Sequence, residues 1–204
     1  MDLILPPLPK TEKGKARRER ILDAAQAAFA VHGYRNVSLA SIAPTVGITE
    51  QGVMHYFPTK THLLLGVLER RRERDTQRFV PMLERVSFPA LMIEVMRHNV
   101  ERDSELAALD AVMRAEAVDP DHPAHRWFAE RTADLRKQMA LGVARSQQAG
   151  DVRADLDPDD VAMHLLALLD GFILQWAMDP RHFDPVGAMR SYIATLEPSK
   201  GLSS

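Results

Sequence analysis

Three short apolar-periodic runs crowd into residues 17–57 of this 204-residue chain, punctuated by Gly33, Gly47 and Pro58. Ile21, Ala24, Ala25, Ala28 and Phe29 recur at spacings of three and four, with Leu22 widening the stripe. "HGY" follows, and Gly33 suits the left-handed position past a helix end. Leu39, Ile42, Ala43 and Val46 form a second run behind Ser38, a candidate cap. Gly47 breaks it. Thr49 is placed to cap a third run carrying Val53, Met54 and Phe57, and Pro58 ends that run. Helices this short do not persist alone, because nucleation is costly and each buries little. They need a common core, which these apolar positions supply. The connection "VGIT" is a short glycine-containing turn between two helices, the helix-turn-helix arrangement, with the second helix as the reading element. A fourth helix, "KTHLLLGVLERRRERDTQRF", starts behind Thr59.

Beyond residue 80 the pattern stays helical. Breakers stand near Pro81, Pro89, "DPDHP" at 119–123, "QAGDVRADLDPDD" at 148–160, "DPRHFDP" at 179–185 and Pro198. No alternating stretch demands a sheet, so the expected fold is all-α. In "DDVAMHLLALLDGFILQWAM", Val161, Leu165, Leu168, Phe172 and Trp176 form one line, and Ala162, Leu166, Leu169 and Ile173 the next. That apolar face is wider than one surface helix needs. It suits deep burial, or packing inside the subunit on one side and against a second copy on the other. With the last helix (Val186, Met189, Ile193, Leu196) it makes a four-helix interface in a symmetric dimer, the expected assembly. His164 and Asp170 make the same stretch a poor membrane span. The amino end lacks a basic segment ahead of its apolar run and does not read as a signal peptide, so a cytoplasmic protein is expected.

With no cysteine, disulfides, thiolate nucleophiles and cysteine-ligated metals are excluded. The net charge of -2 hides a split. Residues 1–60 hold eight Lys or Arg against five Asp or Glu, and the remainder eighteen against twenty-three. "KTEKGKARRER" at 10–20 alone has six basic and two acidic side chains. A basic end on an acidic body is what a protein needs when only that end meets phosphate.

The segment "RERILDAAQAAFAVHGYRNVSLASIAPTVGITEQGVMHYFPTKTHLLLGVL", and within it "ILDAAQAAFAVHGY", "SLASIA", "VGIT" and "HYFPTK" in order and spacing, resembles the N-terminal domain of the TetR family of bacterial transcriptional regulators. "DLDPDDVAMHLLALLDGFILQWAMDP" resembles the family's penultimate-helix region. The resemblance implies an all-helical homodimer that binds operator DNA, usually as a repressor, through the helix-turn-helix. It also implies a C-terminal helical domain that dimerises and encloses a pocket for a small effector, whose binding releases the DNA. The expected division is a flexible basic arm at 1–14, the helix-turn-helix domain at 15–60, the effector-binding and dimerisation domain at 61–197, and a tail at 198–204. No cofactor and no catalytic residue is expected.

Thr49 caps the reading helix, whose free N–H groups suit a phosphate. Gln51 has the amide to pair with adenine, and Glu50 the carboxylate to accept from cytosine or to complement the helix amino end. Gly52 admits close backbone approach or is merely tolerated, at a cost of about 1 kcal/mol in propensity. Val53 either touches a thymine methyl or fills the local core. The resemblance assigns phosphate contacts to His55, Tyr56 and Lys60, with His55 also within reach of a base. Ser38 caps the second helix and is a further phosphate candidate. Lys13, Lys15, Arg17 and Arg18 track the backbone or enter a minor groove. Two departures from the family pattern stand out: Met54 where a tyrosine is usual, and Pro44 inside the short second helix. Candidate effector-binding residues are Met96, Met113, Trp127, Met139, Phe172 and Trp176, with Met92 and Phe128 beside them, matching a hydrophobic ligand. The different-class alternative is a helical metal-dependent enzyme built on Asp119, His122, His125, Glu94 and His98. It lacks the Glu-x-x-His pairs that a carboxylate-bridged bundle wants. Within the DNA-binding reading, a transcriptional activator is the alternative to a repressor.

Overall fold

The computed structural model describes residues 5–198. Among them run α1 (Glu12–Asn36), α2 (Leu39–Val46), α3 (Glu50–Tyr56), α4 (Lys60–Phe79), α5 (Phe88–Glu101), α6 (Ser104–Glu116), α7 (His125–Ala149), α8 (Pro158–Met178) and α9 (Pro185–Ala194). A 3-10 turn, Val80–Glu84, follows α4, and the described residues contain no strand. The fold is all-α. The first four residues of the expected arm, and all but the first of the expected tail, lie outside the described residues.

The chain divides into two compact units. One comprises the residues up to Arg74 together with Val112–Phe128; the other comprises Asp75–Ala111 and the residues from Ala129 on. The divisions fall inside α4, α6 and α7.

In the first unit each helix end has a local cause. α1 starts at Glu12, five residues before the apolar pattern does, because the Thr11 hydroxyl accepts the Gly14 N–H at 3.1 Å. Residues 12–14 of the expected arm are therefore helical. Their sequence is polar on every side, so periodicity gave no sign of it. Gly33 has a positive φ of 74° but a ψ of 156°, outside the left-handed helical region, and it kinks α1 before a last short turn. Ser38 caps α2 in a reciprocal box: its hydroxyl accepts from the Ser41 N–H at 3.1 Å, and its own N–H donates to Ser41 Oγ at 3.0 Å. Pro44 is accommodated because it and Ala40, whose carbonyl loses its partner, are both exposed to water. Gly47, at φ 70° and ψ 38°, is the left-handed turn. It lets the Ile48 N–H close back on the Ala43 carbonyl at 3.1 Å. Ile21, Leu22, Phe29, Ile42, Val53 and Phe57 are all buried. Phe57, the residue that ends α3, lies against α4 at Gly66, where a Cβ would come within 2.7 Å of its ring.

In the second unit the core is built mainly from α5, α7, α8 and α9, including Leu91, Met96, Val143, Leu165, Leu169 and Met189. Pro89 lies in the first turn of α5, where a missing N–H costs nothing. The break between α5 and α6 has no proline or glycine. There the N–H groups of Arg102 and Asp103 both donate to the His98 carbonyl at 3.1 Å. α5 is seated on α7 by two fitted parts. The Phe88 N–H donates to the buried Ser146 hydroxyl at 3.3 Å, and a Cβ on Gly142 would stand 2.5 Å from the Phe88 ring. α8 is long and apolar enough, by length and composition, to cross a bilayer. In this fold its Val161, Ala162, Leu165, Leu166, Leu169 and Ile173 are buried, while Met163, Ala167, Leu174 and Met178 are exposed.

Candidate nucleic-acid interface

α3 has one inward and one outward side. Val53 and the capping Phe57 are fully buried, whereas Glu50, Gln51, Met54 and His55 are exposed. Residues one, four and five positions on from Glu50 share a helical arc, and Gln51 and Met54 stand at its centre. Val53 is at 0 % exposure, so of its two expected roles it fills the core and cannot reach a thymine methyl. Met54, at 44 % exposure, is left outward, and packing does not replace the usual tyrosine. Met54, the departure from the family pattern, stands beside Gln51 on the outward arc, away from the buried Val53 and Phe57. Thr49 caps the helix, its hydroxyl accepting from the Gly52 N–H at 3.1 Å. A Cβ on Gly52 would approach Ile48 Cβ to 3.3 Å, so its missing side chain faces the turn. The His55 and Tyr56 rings meet edge to face at 5.3 Å.

Lys60 is already engaged. Its ammonium donates to the Tyr34 carbonyl at 3.0 Å and the Arg35 carbonyl at 3.1 Å, and lies 4.5 Å from the centre of the Tyr34 ring. A cation on the carbonyl end of α1 is favourable, and an ammonium with three donors still keeps one for a phosphate. Lys15 is exposed and pairs with Glu12 at 2.7 Å. Arg17 is half-buried. The Arg18 side chain is only 13 % exposed; its guanidinium lies 5.2 Å from the centre of the Phe57 ring and 3.5 Å from Glu19. Arg18 thus ties α1 to the end of α3. Ser38 stays exposed at the start of α2, its hydroxyl accepting in the cap.

The first unit also contains Val112–Phe128. The Tyr34 ring meets His122 at 6.1 Å, Arg35 pairs with Glu116 at 3.5 Å, and the Trp127 indole N–H donates to Glu69 at 3.2 Å.

The six candidate effector residues divide between the units. Met113 and Trp127 belong to the first, and Met96, Met139, Phe172 and Trp176 to the second. Met96 and Met139 are core, Phe172 packs at the core's edge against Phe183 at 5.8 Å, and Trp176 is half-buried. An open cleft of about 230 Å³ in the second unit is lined instead by Leu83–Phe88, Gly142, Arg145, Ser146, Ala149 and Asp151. Residues of the metal-site alternative are engaged elsewhere. His122 Nδ1 accepts the Ala124 N–H at 3.2 Å, and His125 Nδ1 lies 2.8 Å from the Ala117 carbonyl. Glu94 pairs with Arg97 and His98 packs on Phe79. Among the described residues no group of three or more His, Asp or Glu is gathered as a metal would need.

Residues 21–67 match the family model for bacterial regulatory proteins of the tetR family, and residues 89–196 match that for the C-terminal part of BetI-type transcriptional repressors. The HTH-type transcriptional repressor Rv1474c of Mycobacterium tuberculosis is 28% identical over 84% of this chain and 89% of its own length. The structure of Salmonella enterica GusR superposes with a TM-score of 0.76 at 24% identity, covering 92% of this chain and 97% of that one. A regulator from Saccharomonospora viridis, solved in complex with choline, superposes with a TM-score of 0.74 at 24% identity, covering 88% and 94%.

Proposed function

The chain belongs to the TetR family of bacterial regulatory proteins, and we propose that it is a ligand-responsive repressor. In this reading it binds palindromic operator DNA as a homodimer in the cytoplasm and is released by a small effector, with no catalytic activity of its own. The observation that carries it is the two-sided α3, presented by the Gly47 turn. Its inner side is locked by Val53 and Phe57, and its outer side shows Glu50, Gln51, Met54 and His55. Gln51 and Glu50 carry the groups for adenine and cytosine edges in the major groove. Ser38, Thr49, Tyr56 and Lys60 position the helix on phosphates, and Lys15 and Arg17 extend that track along the arm. Gly52 keeps the turn compact beside them.

The dimer forms through α8 and α9, consistent with the outward Met163, Leu174 and Met178. The effector is small and apolar. Among the expected residues, Met96, Met139, Phe172 and Trp176 suit such a ligand. α4 begins in the reading unit and ends in the other, so a ligand favouring a different tilt of α4 would change the separation of the two reading heads. Selection of duplexes from a random pool tests the reading directly. The expected product is an inverted repeat with half-sites about one helical turn apart, 34–36 Å centre to centre, or a multiple of that. A pool that yields no preferred inverted repeat overturns the proposal.

A further inference from the structure

The run "LERRRERD" in α4 is dense in charge, yet two of its arginines, Arg70 and Arg71, are buried. The Arg70 side chain is 6 % exposed. Removing a guanidinium from water is costly unless its donors are met, and here they are met along one face of α1. Nη1 donates to Asp23 at 2.7 Å, and to the Glu19 carboxylate and carbonyl at 3.3 Å; Nη2 donates to Gln26 at 2.8 Å. Residues 19, 23 and 26 are spaced four and three apart, so the fork grips two turns of α1 at once. The next residue towards the amino end, Glu69, grips the other way. Its carboxylate accepts the Trp127 indole N–H at 3.2 Å and holds Arg72, Nε of which lies 2.9 Å from both oxygens.

We propose that Glu69 and Arg70 are positioning residues for operator recognition: one turn of α4 is fastened to α1 through Arg70 and to the first turn of α7 through Glu69, and together they hold α3 at its reading angle. This rests on the reading of α3 as the operator-contacting helix. Apolar packing between helices tolerates a spread of crossing angles of about 15–20°. A planar fork with acceptors on three residues of α1 does not, and a lysine, as a point charge, cannot replace it. The linkage continues to the base-reading side. Glu19 also contacts Arg18, which covers the Phe57 ring, and Phe57 terminates α3. Trp127, expected to line an effector pocket, lies within the reading unit and is the residue of α7 that Glu69 holds.

The test uses the full-length protein and the duplex that the wild type selects; an empty selection would count against the functional reading and leave this step aside. Arg70→Lys, Arg70→Met, Trp127→Phe and a control at exposed Arg74 (Arg74→Met) are compared for affinity and for discrimination against a one-base-pair variant of the duplex. Both Arg70 variants are expected to lose about tenfold or more in affinity, the cost of one misread base pair, and to lose discrimination with it. Trp127→Phe falls in between, and Arg74→Met stays within about twofold of the wild type. Simple loss of stability would leave the discrimination of the still-folded protein unchanged. Should both Arg70 variants fail to fold, Asp23→Asn, which weakens one acceptor and keeps the guanidinium, carries the same expectation. Unchanged affinity and discrimination in the folded variants overturn the proposal.

Discussion

Val53 and Met54 are neighbours of similar hydrophobicity with opposite duties. Val53→Ala removes buried methyl groups and is expected to cost about 2 kcal/mol in urea unfolding, with the selected operator sequence unchanged. Met54→Ala, from an exposed site, should shift stability by no more than about 0.5 kcal/mol and instead alter operator affinity and base preference. The reverse pattern would mean that the outward side of α3 has been misassigned. Thr49→Ala should cost about 1 kcal/mol, because the Gly52 N–H loses its cap. Caps such as Thr49 and Ser38 were legible in the sequence because donor and acceptor lie within three residues. The Val53–Met54 distinction was not, since it depends on which side of a seven-residue helix meets the core. Arg70 was the least legible of all. Its partners on α1 are 44 to 51 residues away along the chain, and in isolation it looks like any solvated arginine.

At the scale of elements, Lys60 joins the start of α4 to the end of α1. Lys60→Met should lower stability by about 1 kcal/mol through the lost carbonyl contacts. If its remaining donor meets a phosphate, the same change also reduces the slope of log affinity against log salt by about 1. A slope equal to the wild type's would confine Lys60 to the helix end. Gly142→Val should cost about 1–3 kcal/mol by forcing the Phe88 ring away from α7. Thermal unfolding measures it, and an unchanged midpoint would show that α5 can shift freely. Punctuation marks real ends at Gly47, Pro58 and the prolines that open α8 and α9, whereas Gly33 and Pro44 lie inside helices. The α5–α6 break carries no such mark. There the backbone closes on the His98 carbonyl, and sequence periodicity runs on as if one helix continued.

At the scale of the molecule, the outward apolar line on α8 is where assembly is expected to be decided. Met163, Ala167, Leu174 and Met178 recur at four, seven and four, one stripe of that helix. Leu174→Glu combined with Met178→Glu should convert a dimer to a monomer in sedimentation and abolish tight operator binding. A dimer that survives both would place the interface elsewhere. The division of the chain has a further consequence, in the order of synthesis. The reading unit draws on residues 1–74 and 112–128, so it is complete only after Asp75–Ala111 of the other unit has been made in between. At translation rates of about 5–20 residues per second, Trp127 emerges roughly 3–12 s after the Glu69 it must meet. During that interval the nascent reading head holds its arginine fork but lacks its second fastening.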